Sequence, residues 1–262
     1  MTPRPEYGGL DLFCAAPAET AVYYEWLLGH RARSRPGEAL GALGVRFHRA
    51  RDGGPTGWLP ALCVRPSSVP RIPGEYYAAP ADSDIAEGIE QGFLRGPDDT
   101  WIALTDTPRV TNAIRYTNAD ISTEEVAAVV GRWSSALGGH RVGMFEDPYD
   151  MELVCAEDRV LLGVFRVHGE VPGMPRSFWI GYFEVRDLGT VVARAVESGS
   201  RVLMAPSRSP FNQFAVLTDP WGHVFGVSRI FDHSELGGIT VVAADGAHRP
   251  LLDVLELPGP LD

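Results

Sequence analysis

Short runs of alternating apolar and polar residues recur along the chain, each followed by a segment with helical spacing. Leu10 and Leu12 alternate ahead of Pro17-Ala-Glu-Thr, which opens a helix ending at Gly29. Ile114 and Tyr116 alternate in a strand at 113–118. Ser122-Thr-Glu-Glu follows, where Ser122 and Glu125 have capping-box spacing and predict a helix to 137. The last such unit is the clearest: a strand at 178–186, a helix at 188–198, Gly199, then strands at 201–205, 212–218 and 223–230. Its order is βαβββ. A matching unit at 57–106 reads as eroded, with a short helix at about Asp84 to Gln91. Before it comes a Pro-rich insertion, 66–82, with Tyr76 and Tyr77, which reads either as a solvated loop or as a lid over a pocket. In the tail, Gly238 begins a strand, and 251–257 reads as a strand or short helix packed across an edge.

The pattern is internally repeated. Trp58-Leu-Pro-Ala-Leu-Cys-Val-Arg65 echoes Trp179-Ile-Gly-Tyr-Phe-Glu-Val-Arg186, and Trp101-Ile-Ala-Leu-Thr-Asp106 echoes Phe214-Ala-Val-Leu-Thr-Asp219. Gly-His-Arg occurs at 29–31 and again at 139–141. Three echoes in one order predict a duplicated domain. The expected organisation is α+β, with four βαβββ modules in two domains, 1–110 and 111–232, and an extension at 233–262.

Composition narrows the chemistry. The chain is 45% hydrophobic and 22% charged, as expected of a globular protein with a sizeable core. All 23 of its Lys+Arg residues are arginine. Without lysine there is no Schiff base, no P-loop and no Ser-Lys dyad, so proton transfer falls to His, Asp, Glu, Tyr or Cys. Codon bias in a GC-rich genome also accounts for the missing lysine. The net charge of -11 opposes nucleic acid as a partner. No run of ~18 apolar residues predicts a membrane span. The segment MTPRPEYGG lacks the apolar stretch of a secretory signal, so a cytoplasmic location is expected. Cys14, Cys63 and Cys155 suggest neither a disulfide framework nor a metal knuckle.

Phe183-Glu-Val-Arg-Asp187 and Asp219-Pro-Trp-Gly-His-Val-Phe225 resemble the vicinal oxygen chelate superfamily, the glyoxalase, bleomycin-resistance and extradiol dioxygenase group. Tyr23-Tyr-Glu-Trp-Leu-Leu-Gly29 is similar to that family's first helix end. The resemblance covers 9–230 and is of the two-domain type common in actinobacteria. It implies paired βαβββ units whose concave sheet forms a cup for a small ligand. Metal-dependent members place a His, a second His or Gln, and a Glu on three strands facing the cup. Here those positions fall on Gly9 and Leu59, with no counterpart for the Glu, and then on Ala113, Ile180 and Gly226. None ligates a metal, so no metal and no other cofactor is expected.

Strand parity then selects candidates. In the C-terminal cup it gives Arg115, Thr117, Ile180, Tyr182, Glu184 and Ser228, an expected polar and ionisable surface. In the N-terminal cup it gives Asp11, Phe13, Cys63 and Arg65, with Trp58 at the entrance. Arg115 would hold a ligand carboxylate or enolate while Glu184 or Tyr182 moves a proton. The same residues also fit a self-neutralising Arg–carboxylate pair at the seam. His48 could face cup or solvent, His168 could close over the cup, and His223 could cap the Asp219-Pro-Trp-Gly turn. The expected function is metal-independent binding of a small organic molecule, aromatic or polyketide-like. Cofactor-free tailoring as a cyclase, isomerase or lyase is the first reading, and ligand sequestration without turnover is the alternative. A metal-dependent dioxygenase or glyoxalase stands third. Monomer and homodimer both remain open.

Overall fold

The computed structural model of the chain describes residues 6–29, 45–63, 75–77, 92–96, 99–105, 117–145, 151–156, 159–166, 176–209, 212–236, 238–243 and 245–254. Glu6–Cys14 (β1), Pro17–Leu27 (α1) and Val45–Arg49 (β2) come first, then Gly57–Cys63 (β3), Glu75–Tyr77 (β4), Gly92–Arg95 (β5) and Trp101–Thr105 (β6). These strands form one sheet in the order β2-β1-β3-β6-β5-β4. Thr117–Thr123 (β7), Val126–Leu137 (α2), His140–Phe145 (β8), Met151–Ala156 (β9) and Arg159–Arg166 (β10) follow. Then come Phe178–Glu184 (β11), Leu188–Glu197 (α3), Arg201–Arg208 (β12), Asn212–Thr218 (β13) and Val224–Ile230 (β14). They form the second sheet, β12-β13-β14-β11-β7-β10-β9-β8, which His233–Leu236 (α4), Thr240–Val242 (β15), His248–Pro250 (β16) and Leu251–Val254 (α5) extend beyond β8.

The unit repeats four times. A first strand lies parallel to a last one in β1/β2, β3/β6, β7/β10 and β11/β14. Units join in pairs through antiparallel first strands, β1 with β3 and β7 with β11. Local sequence explains the helices. Asp187 caps α3 by accepting from the Thr190 N–H at 3.0 Å, and Leu188, Val191 and Ala195 make its buried stripe. Val126, Val129, Val130, Trp133 and Leu137 do the same for α2, which ends at Gly138 in a left-handed conformation (φ 63).

The main core lies where the helix-bearing faces of the two sheets meet. Tyr24 of α1 is fully buried, with Trp58, Phe183 and Phe225 at ring-centroid distances of 5.3–5.5 Å. Gly181 of β11 is needed at this crossing. A Cβ there would stand 2.6 Å from Leu10 Cδ2 and 2.9 Å from the Trp58 ring. Polar contacts fix α1 against the second half. The Tyr23 hydroxyl meets Ser200 Oγ at 2.6 Å, and Arg194 donates to the carbonyls of Trp26 and Leu27 at 3.2 and 3.3 Å, at the negative end of α1.

Several sequence expectations shift. The strand read at 113–118 is β7, at 117–123, because antiparallel pairing with β11 draws Ser122 into the sheet opposite Phe178. The expected capping box therefore does not form. Glu125 is the N-cap residue, with no side-chain cap bond, and its N–H donates to Thr123 Oγ1 at 3.2 Å. Tyr76 and Tyr77 belong to β4, paired with Leu94 and Phe93, where a loop or lid was expected. The echo of Trp58 with Trp179 joins equivalent first strands, β3 and β11. The echo of Trp101 with Phe214 joins a last strand to a third one. The helix read at 84–91 lies outside the described residues. Among the described residues no helix is long and apolar enough to cross a membrane.

Candidate functional site

On the outer face of the first sheet, Asp11, Phe13, Leu59 and Ala61 share a side, since Asp11 stands opposite Leu59 and residues two apart follow suit. Asp11 is completely buried, and its Oδ1 meets His48 Nε2 at 2.8 Å. The His48 ring stacks on Phe13 at 4.6 Å, and Phe13 meets Phe93 edge-on at 5.6 Å. Parity left His48 open between cup and solvent. The parallel register of β1 with β2 sets it beside Phe13. Arg65 lies outside the described residues.

On the second sheet Ile180, Tyr182 and Glu184 share a face with Gly226 and Ser228, which pair with Tyr182 and Glu184 in register. The surface is not the polar one expected. Phe178, Ile180, Tyr182, Val216 and Val224 pack into one buried cluster, with Phe214 and Met204 against it. The Tyr182 ring lies across Gly226, and a Cβ on that glycine would collide with it. Burial, reinforced by Asp120, pushes the Tyr182 phenol well above its usual range, so it keeps its proton at neutral pH.

Asp120 is the residue that sequence reading missed. It stands opposite Ile180, and burial raises its carboxyl to about 7, against the lowering effect of the Gly163 backbone hydrogen bond. Leu10-Asp-Leu12 and Ala119-Asp-Ile121 are the same local pattern on equivalent first strands, a signal available in the sequence. The slip of β7 also corrects Thr117. Its register partner is Phe183, while Asp120 and Ser122 stand opposite Ile180 and Phe178, on the side of the sheet that carries the cup residues. Arg115 itself lies outside the described residues.

The positions at which metal-dependent members chelate do not fit a divalent ion. Asp99 has φ 63 where Gly222 has φ 96, and its N–H donates to the Gly96 carbonyl as that of Gly222 does to Asp219, so Gly96 and Asp99 match Asp219 and Gly222 ahead of the last strand. Ala61 pairs with Ala103 as Tyr182 pairs with Gly226, which puts the third position of the first sheet on Ala103. That sheet therefore carries Gly9, Leu59 and Ala103. In the second, the shifted β7 replaces Ala113 by Asn118, opposite Tyr182, beside Ile180 and Gly226. Five of these six positions hold glycine or aliphatic residues, which supply no donor, Asn118 brings a single amide, and Tyr182 fills the space that a side chain at 226 would need. Among the described residues no three His, Cys, Asp or Glu side chains form a metal-binding group.

A cavity of about 470 Å³ opens elsewhere, at the strand ends where the two sheets meet. Equivalent pieces face it from both halves: Trp58 and Trp179 from the first strands, and the turns at Asp99–Trp101 and Gly222–Val224. Phe13, Trp101 and Phe178 complete its aromatic wall. Trp58 and Trp179 are nearly fully buried, and among the described residues neither indole N–H has an acceptor. Arg95 pairs with Asp99 at 2.9 Å and lies 5.6 Å from the Trp101 ring centroid. Burial pushes up the thiol of Cys14, another wall residue.

His223 is the histidine on this wall. Its Nδ1 lies 2.7 Å from Asp219 Oδ2, which also accepts from the Tyr24 hydroxyl at 3.2 Å. Asp219 Oδ1 accepts from the backbone N–H groups of Trp221 and His223 at 3.0 and 2.9 Å. The sequence placed His223 on the turn but gave no sign that the turn borders a cavity. Of the residues named from sequence, Phe13 and Trp58 reach this cavity, while Tyr182, Ile180, Glu184, Ser228 and Asp11 belong to the sheet faces.

Comparison with known proteins agrees with the topology. The Glyoxalase/Bleomycin resistance protein/Dioxygenase superfamily matches residues 96–227, half of the chain. "Putative glyoxylase CFP32" of Mycobacterium bovis is 26% identical over 216 residues, covering 74% of this chain and 77% of its own. The 2,2',3-trihydroxybiphenyl 1,2-dioxygenase of Sphingomonas wittichii strain RW1 superposes with a TM-score of 0.58 at 14% identity, over 86% of this chain and 90% of its own. The Mn(II)-bound glyoxalase of Novosphingobium aromaticivorans gives 0.52 at 15% identity, over 98% and 95%. With four units of parallel first and last strands joined in antiparallel pairs, and the profile match across half its length, the chain belongs to the Glyoxalase/Bleomycin resistance protein/Dioxygenase superfamily.

Proposed function

We propose that this protein binds a small planar organic molecule in the cavity between its sheets, and that it does so without a metal ion. The observation that carries this reading is the cavity itself. Five aromatic side chains, Phe13, Trp58, Trp101, Phe178 and Trp179, surround about 470 Å³, a volume suited to a ligand of one to three rings. The cups are the weaker seat, because each packs its own apolar side chains.

Aromatic walls favour holding a ligand, so sequestration is the first form of the proposal. Acid–base tailoring is the second, favoured by the paired His223 on the wall.

Trp101 is only half-buried and can be changed at little cost to the fold. Trp101→Ala is expected to weaken binding of a neutral aromatic probe, 4-nitroanisole, about tenfold, the equivalent of losing about 1.4 kcal/mol of ring contact. Quenching of tryptophan fluorescence reads the affinity. Unchanged affinity with an unchanged unfolding midpoint would place the ligand elsewhere.

A further inference from the structure

We infer that His223 is a proton acceptor in the cavity, serving a ligand that carries an acidic hydroxyl on an aromatic ring. The inference rests on the cavity being the ligand seat. Its separate basis is the hydrogen-bond pattern around Asp219. Among the described residues that carboxylate accepts from two backbone N–H groups and the Tyr24 hydroxyl, and its fourth partner is His223 Nδ1. A carboxylate used only as an acceptor requires the proton of the neutral imidazole to sit on Nδ1. Nε2 then carries the lone pair, and no described residue bonds to it.

The His223 side chain is 16% exposed and Asp219 is not exposed at all, so the ring reaches the cavity while its partner stays behind it. The same order, acid behind imidazole and imidazole towards ligand, orients general bases elsewhere. The step is a simple proton transfer. The ligand O–H bond breaks, an N–H bond forms at Nε2, and the ligand becomes a phenolate beside an imidazolium whose charge Asp219 balances. No oxidant or co-reactant is needed.

Among the described residues the other ionisable groups close to the ring or its partner Asp219, or on the cavity wall, are Tyr23, which burial also keeps protonated, Tyr24, Cys14 and Asp99. Burial holds both the Tyr24 hydroxyl and the Cys14 thiol in their protonated forms at neutral pH. Asp99 is paired with Arg95. His223 is thus the group on this wall whose ring nitrogen Nε2 is placed to accept a proton from a ligand. The aromatic lining sets the rest of the ligand's character: a flat ring against Trp58, Trp101 and Trp179, with its hydroxyl at the Gly222–Val224 turn.

The test uses 4-nitrophenol and its methyl ether, 4-nitroanisole, with the full-length protein and with His223→Gln. Fluorescence quenching measures binding of both probes, and the visible phenolate band reports where the phenol proton is. The wild type is expected to bind both probes and to lower the apparent pKa of bound 4-nitrophenol by about 1–3 pH units. His223→Gln should bind both probes and abolish that lowering. If the ether and the phenol both bind but the phenol titrates alike in the two proteins, the proton-acceptor role falls and the binding site stands. If neither probe binds the wild type, the cavity reading and this inference fall together. An Asp219→Asn variant that lowers the phenol pKa as strongly as the wild type would also overturn the role given to the carboxylate.

Discussion

Replacing Asp219 by alanine is expected to lower the free energy of unfolding by about 3 kcal/mol, because it strips the acceptor from several buried or half-buried donors at once. In a chain of this size that corresponds to a fall in Tm of about 6–12 °C. The physical reason is asymmetry: a buried donor left without an acceptor costs more than the hydrogen bond contributed when it was made. Tyr24 is fully buried in α1 of the first half, while Asp219 precedes β14 of the second, so one of the lost bonds ties the halves together. Tyr24→Phe alone should cost about 1 kcal/mol. In an Asp219→Asn background the same change should cost measurably less, since the two groups are in contact and their effects are not additive. Denaturant melts of the four proteins give the cycle. Strict additivity would mean that the hydroxyl and carboxylate do not interact in solution.

Gly226→Ala is the second substitution expected to have a large effect. The added Cβ falls into the ring of Tyr182, which is itself packed by Phe178, Ile180, Val216 and Val224 and has nowhere to move. Overpacking of this kind costs about 1–3 kcal/mol. Pairing it with a smaller residue at 182 separates this explanation from a backbone effect. Tyr182→Leu should be destabilising alone, through the cavity it leaves, but should cost less or nothing in the Gly226→Ala protein. Gly226→Glu should unfold more easily still, because its longer side chain meets the same ring. A stable Gly226→Ala protein would show that Tyr182 does not occupy that space.

The last βαβββ unit could be read almost residue by residue from the sequence, because its signals are local. Asp187 caps α3, Leu188, Val191 and Ala195 repeat at helical spacing, and Asp219-Pro-Trp-Gly closes a tight turn. Parity also grouped Ile180, Tyr182 and Glu184 correctly on one face. It failed where a strand boundary was needed. Thr117 was read on the cup side, whereas its register partner is Phe183 and it is Asp120 and Ser122 that stand opposite the cup-side Ile180 and Phe178, because a shift of one residue exchanges the two faces of a strand.

The character of the faces was harder to read than their membership. Whether Tyr182 lies open to a ligand or over Gly226 depends on a glycine more than forty positions away in sequence. The cavity was invisible for the same reason. Trp58 and Trp179 are each ordinary strand residues, and they share a wall only because two sheets meet there. His223 could be placed on its turn from sequence, but that the turn borders a cavity is a tertiary fact.

The proposed binding needs no metal ion. The decisive measurement is titration of the protein with 4-nitroanisole, followed by tryptophan fluorescence, after exhaustive dialysis against EDTA and again after addition of Mn(II) or Fe(II). The predicted result is saturable binding by the stripped protein, with a dissociation constant that added metal changes by less than about twofold, a margin of roughly 0.4 kcal/mol. Binding that appears only with the metal, or tightens tenfold or more with it, would contradict the account and return the ligand to a chelating cup.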